Sequence, residues 1–285
     1  MTTTSALKYD PNAHYEVETT EVEYRREGDK AWLVRIFRPL GEGPFPTLLD
    51  VHGGAWANGD RLMNETSDVA LAESGLVVAA IDFRTSLDAP HPAAQHDIHF
   101  ATRWLKAHAG EYGGSAESLG AVGWSSGGHQ TMLAAMKHSE YGALPLPEAG
   151  SADGSLAYVI MGWPVIDPLA RYGLAKGRGN EELMGNHIAY FGSEQGMIDA
   201  SPPHLLARGE VVETPPALLI QGAADESLTR MMAEEFCEAY SLAGGVIELA
   251  KYPGEPHGFL RNGGPMTNRA LALIKSFIAR QLVQY

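Results

Sequence analysis

The 285-residue sequence predicts an α/β fold, an eight-stranded and mostly parallel sheet flanked by helices, in a single domain over residues 1–285. Three observations point there. After Pro44 and Pro46, short apolar runs alternate with stretches of helical period, the pattern of a parallel sheet covered on both faces. Before them, two extended runs flank a Gly-Asp turn. Between two of the later strands, Ile166–Glu213 inserts 48 residues rich in Gly and aromatics, far more than a plain crossover needs, and is expected to be a lid or cap over 166–213.

In chain order, Val17–Tyr24 and Ala31–Phe37 around Gly28-Asp29 read as an antiparallel hairpin. Thr47–Val51, Leu76–Ile81, Leu119–Gly123, Ala157–Met161, Ala217–Ile220 and Val246–Ala250 are the expected further strands. Ala94–His108, Thr131–His138, Met231–Leu242 and Met266–Leu282 carry apolar residues at helical spacing and serve as crossovers. No fixed-period repeat is visible, so a solenoid is not expected.

Composition narrows the function classes. With 45% hydrophobic and 20% charged residues the chain holds enough apolar material for a large core. Lys+Arg number 21 against 35 Asp+Glu, a net charge of −14 that repels phosphate backbones and anionic lipid, so neither nucleic acid nor a membrane is an expected partner. One cysteine, Cys237, excludes an internal disulfide and any multi-cysteine metal site, and suits a reducing cytosol. The start, from Met1 to Asp10, shows no basic region leading into an apolar stretch, and nowhere do 18 apolar residues run together. A soluble, cytoplasmic protein is expected. A homodimer is compatible with this size, although no feature demands one.

Leu119-Gly-Ala-Val-Gly123-Trp124-Ser125-Ser126-Gly127 places an apolar strand directly before Gly-x-Ser-x-Gly and a helical stretch directly after it. The strand must reverse sharply into the helix, and side chains two positions either side of the serine would collide. That turn would hold Ser125 Oγ clear of the sheet as a nucleophile. Ser126 is expected to contribute its backbone N–H at the helix start, where the dipole favours negative charge.

A second glycine loop, His52-Gly53-Gly54-Ala55-Trp56, follows another buried strand about 70 residues upstream. Paired glycines let backbone N–H groups approach a developing alkoxide, so the amides of Gly54 and Ala55 are the expected oxyanion donors, with Gly53 shaping the loop. His52 precedes the serine and is expected to hold the loop by a hydrogen bond rather than to act as the base.

The acid belongs after the serine at a strand end. Of Asp153, Asp167, Asp199 and Asp225, only Asp225 sits directly beyond a buried apolar run, with neighbouring Glu226 as the alternative. Of eleven histidines, His257 alone follows the last expected strand, in the Pro/Gly loop Lys251-Tyr-Pro-Gly-Glu-Pro-His257-Gly258-Phe259. It is the expected general base, 32 positions after Asp225.

These motifs together resemble the α/β-hydrolase superfamily, in particular its acetyl-esterase and hormone-sensitive-lipase-like branch, over about residues 30 to 283. Ile81-Asp-Phe-Arg84, followed by Ala89-Pro-His-Pro-Ala-Ala-Gln-His-Asp97, is similar to that branch's Asp-Tyr-Arg and His-Pro segments, whose role there is chiefly structural. The sequence departs in two places. Ala55 stands where the branch has a third glycine, a form seen in kynurenine-formamidase-like and feruloyl-esterase-like relatives, and Ser126 stands where alanine or aspartate is usual.

The resemblance implies a serine carboxylesterase that cleaves small neutral esters through an acyl-enzyme, with no metal and no organic cofactor. An aryl-formamidase-like amidase uses the same triad, and a ligand-binding protein on the same fold is the alternative from another class. Trp56, Trp124, Phe191 and Phe259, with Met161, Trp163 and Tyr190, are expected to line the pocket. Only Arg61, Arg84 and Arg171 bring positive charge near the motifs, whence the expectation of a neutral substrate.

Overall fold

The computed structural model describes residue 7 and residues 9–282. Most of the opening stretch read above as lacking an export leader lies outside these described residues.

The chain opens with two antiparallel strands, β1 (Val17–Glu27) and β2 (Lys30–Pro39), joined through Gly28-Asp29 as expected, with Glu27 opposite Lys30. Both run past the apolar stretch that marked them in the sequence. A bulge between Glu23 and Arg25 turns two successive side chains, Tyr24 and Arg25, into the interior, which a strict alternation would forbid. The remaining strands are β3 (Phe45–Val51), β4 (Val77–Ile81), β5 (Gly114–Trp124), β6 (Val159–Gly162), β7 (Ala217–Gly222) and β8 (Ile247–Tyr252). They form one eight-stranded sheet in the order β1-β2-β4-β3-β5-β6-β7-β8, parallel from β4 to β8 and antiparallel at the β1 edge.

Alternate residues of these strands feed two separate cores. Leu49, Val77, Ala79, Ala121, Val159 and Leu219 pack against α2 (Ala93–His108), α3 (Ser126–Met136) and α8 (Met232–Leu242). Leu48, Val78, Val122, Ile160, Leu218 and Ile220 pack against α1 (Glu65–Ala72) and α9 (Pro265–Leu282). Burial on both faces explains why β4 and the Ala217–Ile220 part of β7 read as unbroken apolar runs rather than as alternating ones.

The stretch between β6 and β7 folds into four helices, α4 (Pro168–Gly177), α5 (Glu181–Phe191), α6 (Glu194–Asp199) and α7 (Pro202–Ala207). The first three are capped by side chains: Asp167 accepts the Ala170 N–H, Asn180 that of Leu183, and Ser193 that of Gly196. Among the described residues, no helix is long and apolar enough to cross a membrane.

Candidate active site

Four loops leave the carboxyl ends of β3, β5, β7 and β8 on the same edge of the sheet, where ligands of open parallel sheets bind. They carry, in turn, His52–Trp56, Ser125, Asp225 and His257.

Ser125 sits between β5 and α3 with φ 55° and ψ −118°, a conformation a non-glycine residue adopts only under constraint. The close approach of strands and helix explains its neighbours. A Cβ on Gly127 would stand 2.2 Å from the His52 carbonyl oxygen and 2.3 Å from that of Val51, so β3 could not lie where it does. The helix accordingly begins at Ser126, five residues before the expected start at Thr131, because Gly127 and Gly128 belong to its first turn.

Ser125 Oγ lies 2.9 Å from His257 Nε2, and His257 Nδ1 lies 2.7 Å from Asp225 Oδ2. The carboxylate fixes the imidazole with Nδ1–H donating to Asp225, which leaves the Nε2 lone pair facing the serine hydroxyl. The Asp225 side chain is 2% exposed. Burial alone would raise its pKa, but hydrogen bonds and charge from His257, the Gln221 Nε2–H at 2.8 Å and the Ser227 N–H at 2.7 Å hold it below the ordinary carboxylate value. The three sequence-assigned residues are thus brought together in one chain of hydrogen bonds. Glu226, the alternative acid, makes no hydrogen bond to His257 among the described residues. Gln221 has no signature in sequence, being one polar residue at the end of a buried strand.

Gly54 and Ala55 border the same cavity as Ser125 and His257, and the N–H groups of Gly54, Ala55 and Ser126 donate to no protein acceptor among the described residues. Gly54 is required there: at φ 109°, a Cβ would fall 1.8 Å from the Asn58 carbonyl oxygen. His52 is buried, its Nδ1–H donates to the Gly53 carbonyl at 2.8 Å and its ring stacks on Phe83 at 4.2 Å, so it holds the loop as expected. Ser126 does something the sequence did not reveal: its Oγ accepts the Trp56 N–H at 3.2 Å and ties the two loops together.

The aromatic pocket expected from sequence is not the one that forms. Trp56 is 1% exposed and packs on His187 (4.8 Å), Phe191 (4.9 Å) and Tyr190 (5.8 Å), clasping α5 onto the glycine loop. Trp124 is buried beneath the sheet edge, with Nε1–H donating to Asp50. Phe259 is fully buried against Trp163 and Tyr252. None of Trp56, Trp124, Phe191 and Phe259 borders the cavity at Ser125, because close packing has claimed their rings for the core. Its walls, enclosing about 410 Å³, are instead largely polar, with Asn58, Arg171, Asn180, Asn186, Ser227 and Arg261 among them. The Arg84–Asp97 segment is structural, as the resemblance implied: Arg84 Nε and Nη2 donate to the buried Asp97 carboxylate at 2.9 and 2.8 Å, and Arg25 pairs with it from β1. Among the described residues, no group of three or more His, Cys, Asp or Glu is arranged to hold a metal ion.

Esterase LipC of Mycobacterium tuberculosis is 28% identical over 282 residues, covering 90% of this chain and 65% of LipC. Esterase LipQ of the same organism is 25% identical, covering 87% of this chain and 59% of LipQ. The chain therefore spans less than two thirds of these relatives' length. Among solved structures, the butyrate-bound esterase Est2 of Thermogutta terrifontis superposes with a TM-score of 0.73 at 23% identity, over 94% of both chains, which shows a shared α/β-hydrolase fold. The BD-FAE family model matches residues 35–240, from within β2 to within α8 and across both loops that meet at Ser125, and the chain belongs to that family.

Proposed function

We propose that the chain is a serine carboxylesterase that hydrolyses small carboxylic esters through an acyl-enzyme. The observation that carries this reading is the unbroken Ser125–His257–Asp225 relay, 2.9 and 2.7 Å long, beside backbone N–H groups left without protein acceptors. The names of LipC and LipQ as esterases agree with it.

In the first half-reaction, His257 Nε2 takes the Ser125 proton as Oγ attacks the ester carbonyl carbon. The carbonyl oxygen becomes an alkoxide, which the N–H groups of Gly54, Ala55 and Ser126 receive. Collapse breaks the acyl–oxygen bond, and His257 returns its proton to the departing alcohol. Water, deprotonated by the same imidazole, then attacks the acyl-serine; the second tetrahedral adduct collapses by breaking the acyl–Oγ bond, His257 returns the proton to Ser125 Oγ and the acid leaves. Asp225 keeps the imidazole in the working tautomer and balances its charge when it is protonated. Helices α4 and α5 supply part of the cavity wall and act as the cap over 166–213.

A reducing, cytoplasmic setting is part of this reading, supported by the one half-buried Cys237, whose thiol burial pushes up to about 12, out of the reactive range. Turnover of methyl butyrate, followed by acid release in a pH-stat, tests the activity. Ser125→Ala and His257→Ala are each expected to lower kcat by about 10⁴-fold or more with the fold intact. Undiminished turnover in Ser125→Ala would remove the proposal.

A further inference from the structure

The arginines near the site differ in how their charge is met. Arg61 pairs with Asp82 at 2.9 Å and with Glu21, and Arg84 holds Asp97. Arg171 has no such partner among the described residues. It lies within α4, is 6% exposed and borders the cavity that also holds Ser125 and His257. Its Nε and Nη1 are buried and hydrogen-bond to nothing among the described residues, and no carboxylate stands within ion-pair distance of it. The acid that most influences it, Asp225, already receives three hydrogen bonds from His257, Gln221 and Ser227.

A buried guanidinium with no hydrogen-bonded anion is costly, and burial presses Arg171 down to about 10, against the more distant charge of Asp225. Nε and Nη1 are closed off in the interior, which leaves Nη2 as the donor that can give a charge-assisted hydrogen bond to a carboxylate in the cavity. The cavity wall adds Arg261 and neutral amides from Asn58, Asn180 and Asn186, while its one carboxylate, on Glu182, is exposed to solvent. The chain as a whole carries −14, so its long-range field does not steer anions, and any preference for them must arise at short range inside the cavity.

We infer that this site selects esters bearing a carboxylate, which Arg171 pairs while Ser125 attacks the ester carbonyl. Arg171 is on this view a specificity residue. The inference rests on the esterase reading above and replaces the neutral substrate expected from sequence.

The test compares kcat/KM, by pH-stat, for two matched pairs. Monomethyl glutarate against methyl pentanoate places the carboxylate on the acyl half, and 4-acetoxybenzoate against 4-acetoxybenzamide places it on the alcohol half. In one pair the wild type is expected to favour the anion by about tenfold or more. Arg171→Met should abolish that advantage by lowering kcat/KM far more for the anionic ester than for its neutral match, and should not lower Tm, since it removes an unpaired buried charge; Arg171→Lys should restore part of it. Turnover of neutral esters with no advantage for either anion, or an equal loss on both members in Arg171→Met, overturns the inference and leaves the esterase reading standing. Turnover of none of the four esters overturns the esterase reading and this inference with it.

Discussion

Ser126 Oγ accepts the backbone N–H of Trp56 at 3.2 Å, across 70 positions of sequence. The turn that presents Ser125 and the loop that presents Gly54 and Ala55 are thereby held in one frame, so nucleophile and oxyanion donors keep a common geometry. Ser126→Ala removes this tie while preserving the Ser126 N–H. The expected outcome is a fall in kcat on the order of tenfold with KM little changed, because a misplaced donor is felt chiefly in the transition state. Steady-state kinetics on methyl butyrate checks it.

Adjacent loop positions should respond in opposite ways. Ala55 adopts φ 52°, where a glycine is at ease, so Ala55→Gly exchanges relieved strain for added chain entropy and should shift stability by no more than about 1 kcal/mol. Gly54→Ala, whose Cβ would meet the Asn58 carbonyl at 1.8 Å, should displace the loop and abolish turnover. Thermal melts and kinetics on the two variants separate these outcomes.

His129 gives the fold an acid limit. Its Nε2–H donates to the Ala200 carbonyl at 2.8 Å, its Nδ1 accepts from Trp56 Nε1 at 3.3 Å, and burial presses its pKa to about 3. His187, edge-on to the same Trp56, is pressed to about 4 by burial. A depressed pKa means that the folded state binds fewer protons than the unfolded one. The stability these neutral rings contribute is therefore full above the ordinary histidine value of about 6.5 and is lost as pH falls through about 4 and then about 3. Melts from pH 7 to pH 4 should show Tm falling, and His129→Gln should be less stable at pH 7 with a shallower acid slope.

The buried carboxyls of Asp50 and Asp68 act in the opposite sense. Burial raises Asp50 to about 6, against hydrogen bonds from Asn64 and Trp124, and burial together with the neighbouring Asp50 charge pushes Asp68 well above the usual range. Raised values mean stability that is full below the unfolded carboxylate range and lost as pH rises through the folded values. Asp68→Asn removes the second charge. Its Tm should exceed the wild type's at pH 8 and the gap should narrow at pH 5, as read by scanning calorimetry.

Strand ends and tight turns were legible in sequence because they leave local marks: apolar runs stop, and glycine appears where a Cβ would strike backbone. Ser125, Asp225, His257 and the glycine loop all stand at such marks, and the fold brings them together. Helix α1 escaped because Glu65-Thr-Ser-Asp68 opens it with polar residues and no clear period. The cavity escaped for a different reason. Whether Trp56 lines a pocket or packs on Tyr190, and whether Arg171 meets a carboxylate as Arg84 does, depends on residues far away in sequence, and no local pattern records it.

The proposed esterase activity requires Ser125 to be a nucleophile activated by His257. Its most direct measurement is labelling with a p-nitrophenyl alkylphosphonate, read by intact mass and peptide mapping on wild type, Ser125→Ala and His257→Ala. One equivalent on Ser125 in the wild type, none in Ser125→Ala and labelling slowed by orders of magnitude in His257→Ala is the expected result. A wild type that stays unlabelled, or a label that persists in Ser125→Ala, would contradict the account.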